Sequence, residues 1–264
     1  LAAEEPFWKP GTRNGYHMIN FGWTVGELVR RVSGRSLGTF FQEQVARPLG
    51  IDFWIGTPQE VTPRVATLTP YKRQSGEPLT AFELAVVQDR SSIPALALVH
   101  GGGWSPHDPR HLRAEIGGGG GVTNARGLAT MYAPLACGGS LGHVTFVDPD
   151  TLTRMGEVSM ATNEDATLMI GTRFALGFMK SMDNRGRAAG ARDSVILSSA
   201  AFGHVGAGGS LGFADPREGL SFGYAMNRQG KSILMNERGQ SLVDATYRAL
   251  GFRTNAGGVW TRSG

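Results

Sequence analysis

The chain has 264 residues, 41% of them hydrophobic, which is enough to bury a sizeable core and excludes overall disorder. Its 26 basic and 22 acidic residues leave a net charge of +4, spread without a charged run or a basic helix face, so we expect no nucleic-acid partner. No apolar run approaches the roughly 18 residues that a membrane-spanning helix needs, so we expect no membrane span.

The cysteine and histidine content argues against disulfides and metals. The single cysteine, Cys137, excludes an internal disulfide and a cysteine-based zinc site, and we expect it to be a small buried residue at a helix end. Only His107 and His111 have the spacing of a metal-ligand pair, and they begin in a loop-like sequence with two prolines. We therefore predict neither a metal nor a cofactor. The chain starts at Leu1, so the lack of a signal peptide leaves its compartment undetermined.

Helical patterns come first along the chain. Apolar residues at helical spacing from Phe21 to Val32 predict a helix that Gly34 ends. Ser36 is placed to cap a second helix, and Gly50 follows its end. These two helices predict that the first part of the chain forms a helical lobe.

Loops and two further helices are predicted next. Residues 56–123 are rich in proline, glycine and polar residues, which indicates long loops with one or two short helices. Five glycines, Gly117 to Gly121, precede Asn124, which is placed to cap a helix carrying Leu128 and Leu135. Another helical stretch lies near residues 150–160.

Short strands dominate the rest of the chain. Three apolar segments separated by turn residues predict antiparallel strands: Phe174 to Met179, Ala207 to Ala214 and Leu220 to Met226. The stretch from Gln240 to Leu250 predicts a closing helix that covers one face of the sheet. We therefore expect an α/β (α+β) fold, an antiparallel sheet flanked by helices plus a helical lobe. The predicted division is residues 1–170 for the helix and loop lobe and 171–264 for the sheet portion.

The glycine-rich stretch at residues 202–212 has three interpretations. GGSLG at 208–212 fits the nucleophile elbow of α/β-hydrolases, and HGGGW at 100–104 looks like their oxyanion motif. That fold needs a histidine after the serine, however, and the last histidine, His204, precedes Ser210. A phosphate cradle is disfavoured because no Gly-Lys-Ser/Thr follows the glycines and no helix begins there. The third interpretation, one wall of an acyl-transfer site, depends on other parts of the chain.

Four segments together carry a family resemblance. PGTRNGYH at 10–17, followed by VARPLG at 45–50, resembles the tyrosine-motif segment of class C β-lactamases and family VIII carboxylesterases. FGHVGAGGS at 202–210 looks like the His-x-Gly form that replaces Lys-Thr-Gly in that group, and ARGLATMYA at 125–133 is similar to one of its helices. The chain thus resembles the superfamily of serine β-lactamases and penicillin-binding proteins over most of its length.

The resemblance implies acyl transfer through a serine ester, with a lysine-activated serine attacking a carbonyl. It implies that Tyr16 shuttles the proton, that a lysine and His204 supply cations beside it, and that Ala207 gives a backbone N–H to the oxyanion hole. Three further residues are expected to border the substrate: Gly206, Gly208 and Trp104. The implied partner is a small-molecule ester or amide substrate.

Two departures from the family pattern qualify this expectation. The family's Tyr-x-Asn places Met18 where the asparagine belongs, which argues against efficient β-lactam hydrolysis. The nucleophile motif Ser-x-x-Lys is absent, since the residues three before the lysines are Pro6, Thr69, Gly177 and Arg228. We therefore expect the C-terminal portion of a longer hydrolase, inactive without an N-terminal segment that supplies the nucleophile.

The sequence thus favours a serine hydrolase, an esterase that acts on short-chain carboxylic esters. The alternatives are a non-catalytic β-lactamase-like binding module, or a β-lactamase or D-alanyl peptidase. The residues upstream in the natural reading frame distinguish them, because an active enzyme of this kind needs a Ser-x-x-Lys there.

Overall fold

A computed structural model describes residues 1–99 and 105–263. Its α-helices are α1 (Ile19–Ser33), α2 (Leu37–Phe41), α3 (Arg47–Leu49), α4 (Ala81–Gln88), α5 (Ile93–Val99), α6 (Pro109–Arg113), α7 (Ala125–Ala136), α8 (Pro149–Gly156) and α9 (Glu237–Ala249). Its strands are β1 (Phe53–Ile55), β2 (Gly121–Thr123), β3 (Ser140–Leu141), β4 (Val144–Thr145), β5 (Met160–Thr162), β6 (Thr172–Phe174), β7 (Phe202–Val205), β8 (Leu211–Asp215) and β9 (Leu220–Tyr224). A π-helical turn (Gln42–Ala46) lies between α2 and α3. The expected mixture of helices and antiparallel strands is confirmed.

The helix boundaries follow local chemistry. Gly34 ends α1 in the left-handed conformation, with a φ of 71°, which glycine adopts without a Cβ penalty. The side chains of Ser36 and Asn124 accept hydrogen bonds from backbone N–H groups at the starts of α2 and α7, as predicted. Asn236 caps α9 in the same way, so that this helix begins before the predicted Gln240.

The main sheet is antiparallel, with β8 between β7 and β9. The β5 and β6 pair continues it through Met179, which bridges Phe174 of β6 and Gly203 of β7. The strands are shorter than predicted: residues 207–210 form a turn and β8 begins at Leu211. Likewise β6 ends at Phe174, and the chain turns before it reaches the single bridging residue Met179.

Side chains alternate across β8 to build two cores. Phe213 joins Val243 and Tyr247 of α9 on one face, in the largest apolar cluster of the described residues. Ala214 joins Tyr132 of α7 on the other face. The two helices therefore cover opposite faces of the sheet, and α9 confirms the predicted closing helix.

Helix α1 turns its apolar stripe to solvent. Four residues of this stripe have exposed side chains: Phe21 (46%), Val25 (39%), Leu28 (60%) and Val32 (81%). The helix is anchored beside this stripe through Gly22, where a Cβ would overlap the backbone of Gly118 in the five-glycine run. The helix is therefore confirmed, but its apolar face lies outside the two cores.

Other features bear on the expected chemistry. Cys137, predicted to be buried, is exposed, because α7 ends at Ala136 and Cys137 follows its last buried turn. In residues 1–99 and 105–263, three or more His, Cys, Asp or Glu side chains never cluster in a way that could hold a metal ion. The same residues form no helix with the length and apolar character that crossing a membrane requires.

Candidate active site

Tyr16 and His204 are brought into contact although they lie 188 positions apart in the sequence. The Tyr16 hydroxyl is 3.4 Å from Nε2 of His204, and the two rings stack with centroids 5.9 Å apart. The other neighbour of the Tyr16 ring is Phe174 of β6, at 5.9 Å and nearly parallel. A long hydrogen bond of this kind is common in sites without substrate.

The hydrogen bonds of His204 identify its tautomer. Its Nδ1 is 2.7 Å from the carbonyl oxygen of Val205, which can only accept, so Nδ1 carries the proton. Burial lowers the pKa of His204, which keeps the ring neutral at neutral pH. The unprotonated Nε2 therefore accepts from the Tyr16 hydroxyl. The sequence led us to expect a cation at His204, whereas this geometry favours a neutral, half-buried imidazole that accepts a hydrogen bond.

Tyr16 is protonated in this arrangement. Burial first, and then the negative charge of Asp165, raise the pKa of Tyr16 to about 12. At neutral pH the phenol is thus a hydrogen-bond donor, with Nε2 of His204 as its acceptor. The pair can pass a proton from oxygen to nitrogen, but a phenolate at Tyr16 requires a further positive charge nearby.

Residues 14–16, here the tyrosine segment, are attached to the molecule by Asp165. Its Oδ1 accepts the Tyr16 backbone N–H at 3.0 Å, and its Oδ2 accepts the Asn14 side-chain amide at 2.7 Å. In return, the backbone N–H of Ala166 donates to the Asn14 carbonyl at 2.9 Å. Nothing in the linear sequence separates Asp165 from the other acidic residues, so this contact had no signal there.

Met18 follows the tyrosine segment in a strained backbone conformation, with a φ of 48° and a ψ of −124°. The turn around it closes with the Asn20 N–H donating to the His17 carbonyl at 3.1 Å. The Met18 side chain packs against the core of the sheet portion. This position therefore offers a thioether in place of the amide in the family pattern.

Residues 206–210, here the glycine turn, connect β7 to β8. Three backbone N–H groups of this turn are occupied: those of Gly206, Gly208 and Gly209, which donate to the carbonyls of Ser210, Ser232 and Gly206 at 2.8, 3.0 and 2.9 Å. The N–H of Ala207 has no partner among residues 1–99 and 105–263, and Ala207 is exposed. An N–H that is free and exposed can bind a substrate oxygen, as an oxyanion hole requires.

Positive φ angles and contacts with neighbouring side chains hold the glycine turn in its conformation. Gly208 and Gly209 have φ values of 87° and 111°, which explains why this stretch does not continue the strand. A Cβ on Gly208 would approach the Gln229 side chain to 2.7 Å, and one on Gly209 would overlap the Asn236 amide. Asn236 also donates from Nδ2 to the Gly208 carbonyl at 2.6 Å. The sequence carries no signal for this contact of Asn236 with the glycine turn.

The expected substrate-binding residues are placed differently from one another. Gly206 is half-buried beside Ala207, whereas Gly208 is buried, with its N–H and carbonyl both bonded inside the protein. Gly208 therefore supports the turn from behind, because its backbone has no group left to meet a substrate. Trp104, with His100, lies outside the described residues.

Ser210 is not part of a nucleophile elbow. It ends the glycine turn and is followed by strand β8, whereas the elbow needs a helix after the serine. Its hydroxyl lies against Gly206, where an added Cβ would overlap it. The sequence-based rejection of the α/β-hydrolase interpretation agrees with this geometry.

Comparison with known proteins supplies the family. A family model described as beta-lactamase matches residues 1–245. The chain is 29% identical over 235 residues to the esterase/beta-lactamase LipL of Mycobacterium tuberculosis (strain ATCC 25618 / H37Rv), an alignment that covers 85% of this chain and 51% of LipL. The chain therefore spans about half the length of this curated relative.

Solved structures agree with that match. A family VIII carboxylesterase is similar with a TM-score of 0.74 and 33% identity, covering 94% of this chain and 61% of that one. A penicillin-binding protein homologue from Caulobacter crescentus is similar with a TM-score of 0.74 and 31% identity, covering 94% and 62%. The resemblance found in the sequence is thus confirmed. With a match over residues 1–245, the chain belongs to the beta-lactamase family, within a superfamily of serine hydrolases that includes esterases.

Proposed function

We propose that this chain carries the tyrosine and oxyanion side of an esterase that cleaves short-chain carboxylic esters through an acyl-serine intermediate. The observation that carries the proposal is the contact of Tyr16 with Nε2 of neutral His204, together with the Ala207 N–H, which has no partner in the part of the chain that the structure describes. The names of the relatives support the ester as substrate, since LipL is called an esterase/beta-lactamase and a solved relative is a carboxylesterase. Met18 in place of an amide supports an ester over a β-lactam.

In the proposed acylation, a serine oxygen attacks the ester carbonyl and its proton passes to the lysine that activates it. The Ala207 N–H donates to the oxyanion that forms; losing one such donor costs roughly 100- to 1000-fold in rate. The Tyr16 hydroxyl donates its proton to the leaving alkoxide and takes one back from the protonated lysine. The products of this step are an alcohol and an acyl-serine.

In deacylation, water attacks the acyl-serine carbonyl and its proton moves through the Tyr16 hydroxyl to Nε2 of His204. When the carbon–serine bond breaks, the same proton returns through Tyr16 to the serine oxygen. The carboxylic acid leaves, and both His204 and Tyr16 are again neutral. Because the His204 ring is neutral, its Nε2 is available to accept this proton.

The nucleophile in this proposal comes from sequence outside these residues, because Ser-x-x-Lys does not occur among the 264. The exposed apolar stripe of α1, from Phe21 to Val32, supports this, since contiguous exposed apolar surface marks a contact site. The stripe begins directly after the tyrosine segment.

The test compares this chain alone with a chain extended upstream in the natural reading frame, using p-nitrophenyl acetate, p-nitrophenyl butyrate and a chromogenic cephalosporin. The extended chain is expected to hydrolyse the esters, and Tyr16→Phe to abolish this while Tyr71→Phe, a change at an exposed tyrosine, does not. Ester hydrolysis that survives Tyr16→Phe overturns the proposal. An upstream sequence without Ser-x-x-Lys favours a non-catalytic binding module, and preferential cephalosporin hydrolysis favours a β-lactamase.

A further inference from the structure

Asp165 has an unusual number of hydrogen bonds for a side chain on a loop. It is fully buried, and its two oxygens accept from donors on its own loop and on the distant tyrosine segment. Oδ1 accepts the backbone N–H groups of Tyr16, Thr167 and Leu168 at 3.0, 2.9 and 2.9 Å, and Oδ2 accepts the Asn14 amide at 2.7 Å. Oδ2 also accepts the Thr172 hydroxyl at 3.5 Å. Burying a carboxylate is costly unless donors satisfy it, and here five donors do.

We propose that Asp165 is a positioning residue for Tyr16, holding the tyrosine segment against the sheet so that the Tyr16 hydroxyl meets Nε2 of His204. The contact between Tyr16 and His204 depends on where the backbone of residue 16 lies, and Asp165 binds that backbone directly. Residues 9–13 before it are exposed and give the segment little support. Only the catalytic importance of this positioning rests on the proposed function.

The bonding pattern explains why a carboxylate is needed. Four of the groups that face Asp165 are N–H donors that cannot accept in return, so both of its oxygens must be acceptors. The fifth group, the Thr172 hydroxyl, donates to Oδ2 as well. An asparagine there would either turn its own NH2 towards the Asn14 amide or lose the three backbone donors at Oδ1. If the two side chains are exchanged, the asparagine NH2 at position 165 can donate to the aspartate carboxylate at position 14, which restores the hydrogen bond between them.

The charge of Asp165 has a second effect on the same tyrosine. It adds to burial in raising the pKa of Tyr16, and so favours the protonated hydroxyl that His204 accepts. The titratable groups that act on Tyr16 among the described residues are Asp165 and the neutral His204, while Phe174 covers the other ring face. The hydrogen bonds of Asp165 place the Tyr16 hydroxyl at Nε2 of His204, and its charge favours the protonated form of that hydroxyl. Both effects therefore favour the hydrogen bond from Tyr16 to His204.

The experiment follows Tyr16 itself. The pH at which Tyr16 ionises is measured from tyrosinate absorbance, as the difference between each variant and the same variant carrying Tyr16→Phe. Asp165→Asn is expected to shift this ionisation to lower pH, while Asp150→Asn, at an exposed acidic residue in α8, leaves it in place. The titration needs no turnover, so it is independent of whether the esterase proposal is correct.

Activity in the upstream-extended chain gives the positioning readout. Asp165→Asn is expected to lower kcat on the order of 100-fold, as for a small misplacement of a reacting group, with a smaller change in KM. The exchange Asn14→Asp with Asp165→Asn is expected to recover at least about 10-fold of that loss, as a restored hydrogen bond to a charged group does.

Should Asp165→Asn fail to fold, Asn14→Ala takes its place, because it removes one donor and leaves the charge. It is expected to lower kcat without lowering the pH at which Tyr16 ionises. A folded Asp165→Asn chain with unchanged Tyr16 ionisation overturns the proposal, as does an exchange variant no better than the single one.

Discussion

The tyrosine segment and the glycine turn lie on either side of His204, and they are held in different ways. The tyrosine segment depends on the buried carboxylate of Asp165, which reaches it from 149 positions along the chain. The glycine turn depends on backbone bonds and on positive φ angles at Gly208 and Gly209. The first arrangement is sensitive to charge and hydrogen bonding, and the second to the shape of a side chain. Substitutions that change only a charge, only a hydrogen bond or only the shape of a side chain test whether the two segments are held differently.

The largest effect is expected at Gly209. Gly209→Ala places a Cβ against the Asn236 amide at a φ of 111°, which should cost about 3 kcal/mol in the free energy of unfolding. Gly138→Ala is the matched control, because Gly138 has a φ of 78° with open space around the added Cβ, and it should cost about 1 kcal/mol. Urea unfolding measures both. Equal losses would contradict the account of the turn.

Asn236→Ser tests the brace on the turn without removing the helix cap. Serine keeps the oxygen that caps α9 but loses the Nδ2 bond to the Gly208 carbonyl, so we expect a loss of about 1 kcal/mol. Asn124→Ser changes only the cap of α7 and should cost less, about 0.3 kcal/mol. Urea unfolding again measures the difference, and a similar cost for both variants would show that the brace contributes nothing.

His204 should make stability depend on pH in a defined direction. Since burial lowers its pKa in the folded chain below 6.5, the unfolded chain binds the proton more readily. The contribution of neutral His204 to the free energy of unfolding is therefore fully present above pH 6.5. It decreases as the pH falls towards the pKa of His204 in the folded chain, by at most about 1.4 kcal/mol per pH unit. His204→Gln should reduce this slope in urea unfolding, and His143→Gln, at an exposed histidine, should not. A slope unaffected by His204→Gln would mean that the ring is not held neutral.

For this chain by itself, the smallest effect is expected on the exposed stripe of α1. Leu28→Ser should change the unfolding free energy of this chain by less than about 0.5 kcal/mol, because the side chain contacts little that is buried. In the upstream-extended chain the same substitution should cost more, about 2 kcal/mol, since the proposal places a packed segment on this stripe. Val158→Ser, at an exposed residue elsewhere, should cost the same in both chains.

The sequence predicted the elements whose signals are local. Helical spacing and caps such as Ser36 and Asn124 located α1, α2 and α7, because a helix is built from contacts three or four residues apart. It was less successful where a glycine can serve a strand or a turn, as at Gly208 and Gly209, since only the φ angles distinguish the two. It also could not show that the apolar stripe of α1 faces solvent, which depends on the partner against which the helix packs.

In the candidate site, too, some residues could be predicted from the sequence and others could not. Tyr16 and His204 were chosen through the family resemblance, and the structure places them in contact, while their catalytic roles stay predictions. Asp165 and Asn236 could not be found in the sequence, because their contacts join segments 149 and 28 positions apart and no spacing rule links them. The geometry favours a neutral His204 where the sequence led us to expect a cation, since burial cannot be judged from its neighbours in the chain.

The most direct test of the account is the protonation state of His204, read from 15N chemical shifts of labelled histidine and assigned with His204→Gln. At neutral pH the account predicts a protonated Nδ1 and an unprotonated Nε2 that accepts a hydrogen bond, with the Nε2 shift changing in Tyr16→Phe. An imidazolium, or a neutral ring protonated at Nε2, would contradict it.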